Sequence, residues 1–557
     1  MRWSGILVAA AVASAGPTHA HAQSPAPSRA LQVEAQALPA ALDAVFAAYT
    51  PATPGCAVGV RQGDRPPVFR AYGSADLEHR VPITPETVFE AGSVSKQFTA
   101  AAILLLADEG KLSLADDIRK HLPEMPDYGR PITVDMLLSH TSGLRDWGEL
   151  MALAGWPRTS RVYTHAEVLP IAARQRALND TPGEAYSYTN TGYNLAALIV
   201  QRVSGYSLAD YTKLKIFEPL GMTRTSWRDN FRRIVPGRAV AYRAVPGGSG
   251  AAFGQDMPFE NTYGHGGLLT TVGDLLIWNE ALATGRLGPT LYARMQQSPT
   301  LTGGRTIAYA RGLMNLSVDG RAEVSHGGAT AGYRAWLARL PAERLSVALL
   351  CNRADANPVI LGHRVAEAAA PSGRRPDAAG PPPAADLQRL PGVYVDERSG
   401  GVLVIAARGG GLEAAGGRPV ARALRPAGAV GRYVAEDVLY RFGGEGLVLR
   451  TPDGETADYR RIEPVRPAPA DLQAIAGAYA SSEAGAVLNV GVSGGRLVVA
   501  PADRPAGAEA ALPLHRDAFR VDGALVRVLR AADGRVTGLR FTTARVHALD
   551  FRRIEAP

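Results

Sequence analysis

The chain contains a single Ser-x-x-Lys sequence, which lies within Phe89-Glu90-Ala91-Gly92-Ser93-Val94-Ser95-Lys96-Gln97-Phe98-Thr99. A helical pattern over residues 97–109 follows directly, and Gly110 is placed to cap its end. Three-residue spacing at a helix start puts Ser93 and Lys96 on one face. Ser93 is therefore a candidate nucleophile, because a helix N-terminus stabilises the oxyanion formed when a serine attacks a carbonyl. Lys96 is a candidate base, provided that desolvation or nearby positive charge lowers its pKa.

A second segment with chemical potential is Pro182-Gly183-Glu184-Ala185-Tyr186-Ser187-Tyr188-Thr189-Asn190, a turn that precedes a helical pattern over residues 192–203. Tyr188 can relay protons, and the Asn190 amide can hold a substrate C=O or N–H group. The alternative is an ordinary capped turn in which the tyrosine packs and Asn190 caps the helix.

A third segment, Ser325-His326-Gly327-Gly328-Ala329-Thr330, precedes a strand-like run over residues 333–337. A glycine such as Gly328 lets a substrate approach the backbone closely, and the N–H groups of Ala329 and Ser93 can together form an oxyanion hole. His326 is a candidate for positioning or polarising the substrate. The alternative is a hairpin turn with an ordinary histidine.

In this order the three segments resemble the penicillin-recognising serine hydrolases, a group that includes class C β-lactamases, D,D-carboxypeptidases, D-aminopeptidases and related esterases. Further segments that resemble this family are Leu137-Leu138-Ser139-His140-Thr141-Ser142-Gly143-Leu144 and Gly266-Gly267-Leu268, followed by Asp274-Leu275 and Trp278. The resemblance covers most of residues 50–355. It implies an α/β fold of the β-lactamase/transpeptidase type, with an antiparallel sheet flanked by helices and an all-helical part.

The same resemblance implies a role for each candidate residue. Ser93 forms an acyl-enzyme, Lys96 and Tyr188 share the work of base and acid, and Asn190 orients the amide on the acyl side. His326 takes the place where β-lactamases carry the lysine of Lys-Thr-Gly. No lysine follows Lys215 in this chain, so a Lys-Thr-Gly element is impossible and the peptidase and esterase branches are favoured.

The length of 557 residues predicts about two to four domains. Pro-rich and small-residue stretches at 371–385 and 464–470 are the candidate linkers. The two C-terminal pieces repeat each other, since Asp458-Tyr459-Arg460-Arg461-Ile462-Glu463 recurs as Asp550-Phe551-Arg552-Arg553-Ile554-Glu555. Alternating strand patterns between these ends predict two small antiparallel β-barrels. The predicted domains are therefore a hydrolase domain at 38–370, a linker at 371–384 and barrels at 385–464 and 470–557.

A hydrolase domain followed by two related barrels resembles D-aminopeptidases, in which a long loop from the last barrel reaches the active site. The region 520–524 of this chain is only a tight turn. The predicted function is D-aminopeptidase-like hydrolysis of peptides or amides that contain D-residues. The alternatives are an esterase of the same family, then a D,D-carboxypeptidase or β-lactamase, and then a non-turnover protein that binds β-lactams or peptidoglycan fragments.

The first 22 residues predict a secretory signal, with Arg2, an apolar run over residues 6–15 and Ala20-His21-Ala22 as the cleavage site. The run is too short for a membrane-spanning helix of about 20 residues. The expected location is periplasmic or secreted, where Cys56 and Cys351 can pair. The family resemblance implies that they lie on neighbouring strands, because the first strand pairs with the last strand of the hydrolase domain. Two buried free thiols are the alternative.

Composition and spacing restrict the partners. The 60 basic and 52 acidic residues give a net charge of +8 without a basic stripe, so we expect no nucleic-acid partner. No cofactor and no metal are predicted, because the only closely spaced histidines lie in the signal. We expect a small peptide, amide or ester substrate, inhibition by β-lactams and no stable membrane span, while homo-oligomer formation stays open. His140 and His265 are interpreted as structural hydrogen-bonding residues. Arg145-Asp146 is either a loop ion pair or a substrate contact.

Overall fold

The computed structural model describes residues 29–245, 252–372, 380–416, 421–435, 438–451, 455–504, 507–515 and 517–555. The predicted signal at 1–22 lies outside these residues, as does part of the predicted linker at 371–384. Among the described residues, no helix is both long enough and apolar enough to cross a bilayer.

The helices and strands of the first part of the chain alternate irregularly. The helices are α1 (Arg29–Val45), α2 (Lys96–Asp108), α3 (Val134–Leu138), α4 (Trp147–Leu153), α5 (His165–Ala173), α6 (Asn190–Ser204), α7 (Leu208–Thr212), α8 (Glu218–Leu220), α9 (Val272–Thr284), α10 (Leu291–Met295) and α11 (Pro358–Ala369). The strands are β1 (Cys56–Gln62), β2 (Val68–Tyr72), β3 (Ser74–Asp76), β4 (Val81–Pro82), β5 (Phe89–Glu90), β6 (Ser226–Trp227), β7 (Tyr242–Ala244), β8 (Phe253–Gln255), β9 (Leu268–Thr270), β10 (Met314–Val318), β11 (Arg321–Thr330), β12 (Tyr333–Leu340) and β13 (Leu345–Cys351).

The main sheet of this part is antiparallel, with the strand order β10-β11-β12-β13-β1-β2. Its central strands are almost continuously apolar, which is typical of a sheet that is covered on both faces. Successive side chains of a strand point to opposite faces. Val347 and Leu349 accordingly pack with helices α1 and α11, while Ala348 and Leu350 belong to the larger core that includes α2 and α9.

The first and last strands of this part are neighbours, as the resemblance implied. Strands β1 and β13 pair in a register that sets Cys56 opposite Cys351. The two cysteines form a disulfide bond that closes a separation of 295 residues. Both are buried within the cluster that joins the sheet to α1 and α11.

Two β-structures follow the linker, each introduced by a short helix. The first comprises α12 (Ala384–Arg389), β14 (Gly392–Asp396), β15 (Gly401–Arg408), β16 (Gly411–Ala415), β17 (Arg422–Pro426), β18 (Arg432–Ala435), β19 (Val438–Gly443), β20 (Gly446–Arg450) and β21 (Thr456–Ile462). The second comprises α13 (Pro469–Ile475), β22 (Gly477–Ser481), β23 (Ala486–Ser493), β24 (Arg496–Pro501), β25 (Glu509–Ala510), β26 (Leu512–His515), β27 (Ala518–Val521), β28 (Ala524–Arg530), β29 (Val536–Thr542) and β30 (Leu549–Ile554). Strands β14–β21 close into a barrel, and β22–β30 form one nine-stranded antiparallel sheet, here called the second barrel. The predicted architecture is therefore confirmed.

The sequence repeat reflects one local design used twice. In the first barrel, Arg461 of the last strand donates to the carbonyl of Arg389, at the end of the introductory helix. In the second barrel, Arg553 donates in the same way to the carbonyl of Ala474. The repeated arginine therefore ties the last strand of each barrel to the helix that opens it.

The second barrel packs directly on the helical part of the hydrolase domain. One continuous hydrophobic cluster contains barrel side chains such as Leu488 and Phe551 together with Trp147 and Leu150 of α4 and Ile171 of α5. Burial of apolar area is the dominant attraction between such surfaces. The two units therefore share a core, and this contact brings one barrel loop to the site described next.

Candidate active site

Ser93 lies in a single 3-10 turn, Gly92–Ser95, that leads straight into α2. The Nζ atom of Lys96, the first residue of that helix, is 3.1 Å from the Ser93 Oγ atom. Lys96 is fully buried and also donates to the Asn190 Oδ1 atom at 3.0 Å and to the His265 carbonyl at 2.7 Å. All three partners are uncharged, so none of them forms an ion pair with the buried ammonium group.

The protonation of Lys96 follows from these surroundings. Burial lowers the pKa of Lys96 well below its usual value, and the positive charge of Arg545 lowers it further. A neutral lysine amine has a lone pair that can accept the serine proton. The arrangement therefore provides a base at hydrogen-bonding distance from a hydroxyl nucleophile.

Tyr188 stands on the other side of the same hydroxyl. Its OH group donates to the Ser93 Oγ atom at 2.9 Å, and its ring packs against the His140 ring with centroids 4.1 Å apart. Burial raises the pKa of Tyr188 to about 12. Tyr188 is consequently protonated at neutral pH, and it can donate to a leaving group as well as to Ser93.

Asn190 does not cap its helix. Thr189 is the N-cap of α6, since its side chain accepts a hydrogen bond from the Thr191 N–H group. Asn190 is instead the first residue of α6, and its side chain faces Lys96 while its backbone N–H donates to the Asp146 Oδ2 atom at 2.8 Å. Asp146 also caps α4 by accepting from two backbone N–H groups. Asn190 is thereby held beside Lys96 at the point where the ends of α4 and α6 meet.

The glycine-rich third segment lies within strand β11, which runs against the turn that carries Ser93. Gly92 has a φ of 51°, and a Cβ atom there would lie 2.6 Å from the Ala329 backbone nitrogen. A Cβ atom at Gly328 would lie 2.0 Å from the Ala91 carbonyl oxygen. Glycine is required at both positions because the two backbones touch. This contact brings the backbone of Ala329 next to that of Ser93, as an oxyanion hole requires.

His326 is engaged within the protein rather than open to solvent. Its Nε2 atom lies 3.0 Å from the Tyr309 OH group, and its Nδ1 atom lies 2.6 Å from the Gly327 carbonyl. Burial lowers the pKa of His326 to about 3, and nearby Lys96 contributes to the shift. His326 is therefore neutral at ordinary pH, and it does not reproduce the fixed positive charge of a lysine.

The remaining histidines near the site have hydrogen-bonding roles. His140 accepts from the Thr189 backbone N–H at 3.3 Å. The His265 ring contacts Asn194 and Arg158, both at 3.0 Å, while its carbonyl accepts from Lys96. The His140 ring therefore positions the Thr189 backbone just before Asn190, and the His265 ring contacts the Asn194 side-chain amide.

Comparison with known proteins agrees with this geometry. The beta-lactamase family model matches residues 42–371, which is more than half of the chain. The chain belongs to the beta-lactamase family. The predicted fold class and the predicted serine hydrolase class are thereby confirmed.

Several relatives of this beta-lactamase-family chain are named D-aminopeptidase. The one from Cereibacter sphaeroides is 29% identical over 560 residues, covering 94% of this chain and all of the relative. The one from Gluconobacter oxydans is 31% identical, and that match covers 54% of this chain and 56% of the relative, so the chain spans only about half of that protein. Among solved structures, the octameric penicillin-binding protein homologue from Pyrococcus abyssi has a TM-score of 0.54 at 24% identity, covering 76% of this chain and 99% of that one. The D-amino acid amidase from Ochrobactrum anthropi SV3 has a TM-score of 0.51 at 21% identity, covering 60% and 99%.

One residue at the site of this family member comes from the second barrel, and the sequence analysis missed it. The loop at 543–548 joins β29 to β30, and the guanidinium of its Arg545 lies over the Tyr188 ring, 4.9 Å from the centroid. A comparison of the two repeat copies in the sequence indicates that this loop differs from its counterpart in the first barrel. Where the first copy has the sequence Pro452-Asp453-Gly454, a composition typical of turns, the second has Ala544-Arg545-Val546.

Arg145 holds this loop in place. Its side chain, which is 1% exposed, donates to the carbonyls of His547 and Ala548 and pairs with Glu483, all on the second barrel. The sequence left open whether Arg145-Asp146 is a loop ion pair or a substrate contact. The structure shows instead that Arg145 joins two domains and that Asp146 supports Asn190.

The region 520–524 is the tight turn that the sequence indicated. Strand β27 ends at Val521 and β28 begins at Ala524, so only two residues connect them. In this chain the barrel reaches the active site through another loop, the one at 543–548.

Proposed function

We propose that this serine hydrolase acts through an acyl-enzyme on Ser93 and cleaves amide bonds of peptides or amides that contain D-residues. The observation that carries the proposal is the position of the Ser93 hydroxyl between the Lys96 amine at 3.1 Å and the Tyr188 hydroxyl at 2.9 Å. A relative named D-aminopeptidase that aligns over its entire length supports the choice of substrate.

The proposed reaction has two halves. Ser93 Oγ attacks the substrate carbonyl as neutral Lys96 takes its proton, and the N–H groups of Ser93 and Ala329 hold the oxyanion. The proton then passes through Lys96 and Tyr188 to the nitrogen of the leaving amine, the C–N bond breaks and the ester on Ser93 remains. In the second half, water gives a proton to the same pair of side chains as its oxygen attacks the ester carbonyl. The bond between the carbonyl carbon and Ser93 Oγ then breaks, the proton returns to Ser93 Oγ and the acid is released. Asn190 holds the amide on the acyl side of the substrate. His326 is a neutral group on strand β11, the strand that also carries Ala329.

We also propose that the protein works in an oxidising compartment after removal of the sequence at 1–22. The Cys56–Cys351 disulfide supports this location, since such bonds persist outside reducing cytoplasm.

The test compares D-alanine p-nitroanilide, L-alanine p-nitroanilide and p-nitrophenyl butyrate as substrates. We expect hydrolysis of the D-anilide by the parent protein and its loss in Ser93→Ala, while Ser160→Ala, which alters an exposed serine of the same domain, keeps full activity. Turnover of the ester alone would assign the protein to the esterase alternative. Activity that survives in Ser93→Ala would mean that another residue is the nucleophile.

The covalent step has its own readout. Incubation with benzylpenicillin should add the mass of the penicilloyl group to the intact protein and not to Ser93→Ala. Because a non-turnover binding protein would give the same adduct, only hydrolysis of the anilide distinguishes the enzyme from that alternative.

A further inference from the structure

The guanidinium of Arg545 is partly exposed at the edge of the active site. Its side chain is 37% exposed. It lies over the ring of Tyr188, whose OH group donates to the Ser93 Oγ atom. Arginine presents five N–H donors in a planar fork. In the described part of the chain, none of these donors makes a hydrogen bond.

The backbone of Arg545, in contrast, is firmly held by the hydrolase domain. Its carbonyl accepts from the Asp146 N–H at 3.1 Å and from the Asn179 amide at 2.9 Å. Its N–H donates to the Glu149 carboxylate at 3.2 Å. The backbone that carries the side chain is therefore fixed before any substrate arrives, which reduces the entropy lost on binding.

Two carboxylates form long ion pairs with the guanidinium, and both accept their hydrogen bonds from other groups. Asp146 is 2% exposed, 4.0 Å from Arg545, and accepts the backbone N–H groups of Gly148, Glu149 and Asn190. Glu149 lies 3.9 Å from Arg545 and accepts from Thr543 and from the Arg545 N–H. These two carboxylates support the loop through their hydrogen bonds. The N–H groups that stay available to a ligand here are therefore those of the Arg545 guanidinium.

We propose that Arg545 forms a subsite for an anionic group, such as a carboxylate, on the acyl portion of the substrate. The side of the scissile bond follows from the geometry, because Arg545 and Asn190 share Asp146 as a neighbour, and Asn190 is the residue assigned to the acyl side. A carboxylate is the group that a guanidinium fork binds best. The inference rests on the proposed function and predicts that, among its substrates, those whose acyl residue carries a negative side-chain charge are preferred, as for D-glutamate and D-aspartate.

The test uses the p-nitroanilides of D-glutamate and D-glutamine, which have nearly the same shape and the same α-amine and differ in side-chain charge. We expect kcat/KM for the D-glutamyl substrate to exceed that for the D-glutaminyl substrate by about tenfold or more, the usual size of a charge-assisted hydrogen bond. Arg545→Met should bring this ratio close to one, while Arg545→Lys should keep part of it. Arg552→Met is the matched control, since Arg552 is an exposed arginine of the same barrel.

Two results would overturn the subsite. One is a parent ratio near one, and the other is a ratio that is the same in the parent and in Arg545→Met. If the ratio is unchanged while turnover falls equally on both substrates, Arg545 acts only on Tyr188 and Lys96. Melting temperatures of the variants show whether the loop still folds.

Failure of the proposed function can be distinguished from failure of the Arg545 subsite. If no D-anilide is hydrolysed and only esters are, the same ratio is measured with mono-p-nitrophenyl glutarate against p-nitrophenyl butyrate. A preference for the anionic ester that depends on Arg545 would support the subsite even though the enzyme is an esterase.

Discussion

Replacing Arg145 by methionine should loosen the second barrel from the hydrolase domain. The side chain is 1% exposed and makes hydrogen bonds to two barrel carbonyls as well as an ion pair with Glu483 at 3.1 Å. Removing one member of a buried pair typically costs about 3–5 kcal/mol, because the partner is left without compensation. Glu483 keeps two backbone donors, the N–H groups of Arg176 and Ala177, so we expect the lower end of that range.

The expected loss corresponds to a measurable change in Tm. For domains of about 150–250 residues, 1 kcal/mol shifts Tm by about 2–4 °C, so Arg145→Met should lower the transition that includes the barrel interface by about 6–12 °C. Differential scanning calorimetry of the full chain measures this shift. Limited proteolysis should then release the second barrel from the variant at temperatures where the parent is resistant.

The matched control is Arg540→Met, which removes an exposed ion pair within the same barrel. Arg540 and Asp550 are 44% and 38% exposed, and pairs of this kind contribute about 0–1 kcal/mol. If Arg145→Met lowers Tm no more than Arg540→Met does, the barrel is not held by Arg145 and the reasoning about the interface is wrong.

Three further outcomes can be measured on the same protein. Tyr188→Phe should lower kcat by about 10²–10⁴-fold, the usual contribution of a positioned acid or base, with little change in Tm because the ring still packs against its neighbours; unchanged kcat would exclude Tyr188 from proton transfer. The pH profile of kcat/KM should fall toward acid as Lys96, whose pKa is lowered by burial and by Arg545, becomes protonated, and Arg545→Met should move this limb to higher pH; a limb near pH 6.5 that His326→Gln abolishes would contradict the pKa of about 3 assigned to that histidine. Replacing Cys56 and Cys351 by alanine should lower the free energy of unfolding by about 2–5 kcal/mol in urea titrations, with the reduced parent behaving like the variant; equal stability of variant and oxidised parent would show that the bond adds nothing.

Most of the fold could be predicted from the sequence, because its strongest signals are local. The helix after Ser93, the turn before α6 and the repeated ends of the two barrels are all patterns within a few tens of residues. Each reflects backbone geometry or capping that neighbouring residues determine by themselves. The neighbouring position of Cys56 and Cys351 came from the family resemblance, and the strand register agrees with it.

The surroundings of the candidate site were harder to predict, because they depend on contacts between distant segments. The carbonyl of His265 that accepts from Lys96 has no side-chain signature at all. Arg545 meets Tyr188 only after two domains have packed. The sequence left Arg145-Asp146 as either a loop ion pair or a substrate contact, because the partners of Arg145 on the second barrel lie at least 338 positions away in the chain. The alternative that Asn190 caps its helix was reasonable from composition, but the preceding threonine performs that role.

The origin of Arg545 has a consequence for the order in which the site is made. Asn179 donates a hydrogen bond to Arg545, and the two residues are 366 positions apart in the chain. The last helix of the hydrolase domain ends at Ala369, so at about 5–20 residues per second a ribosome needs roughly 9–35 seconds to continue from there to Arg545, and domains generally fold as they emerge. During this interval Ser93, Lys96 and Tyr188 can already be in place while the guanidinium does not yet exist. The nascent hydrolase domain therefore has no anion subsite at first. The preference for anionic substrates arises only when the second barrel has been synthesised and has packed.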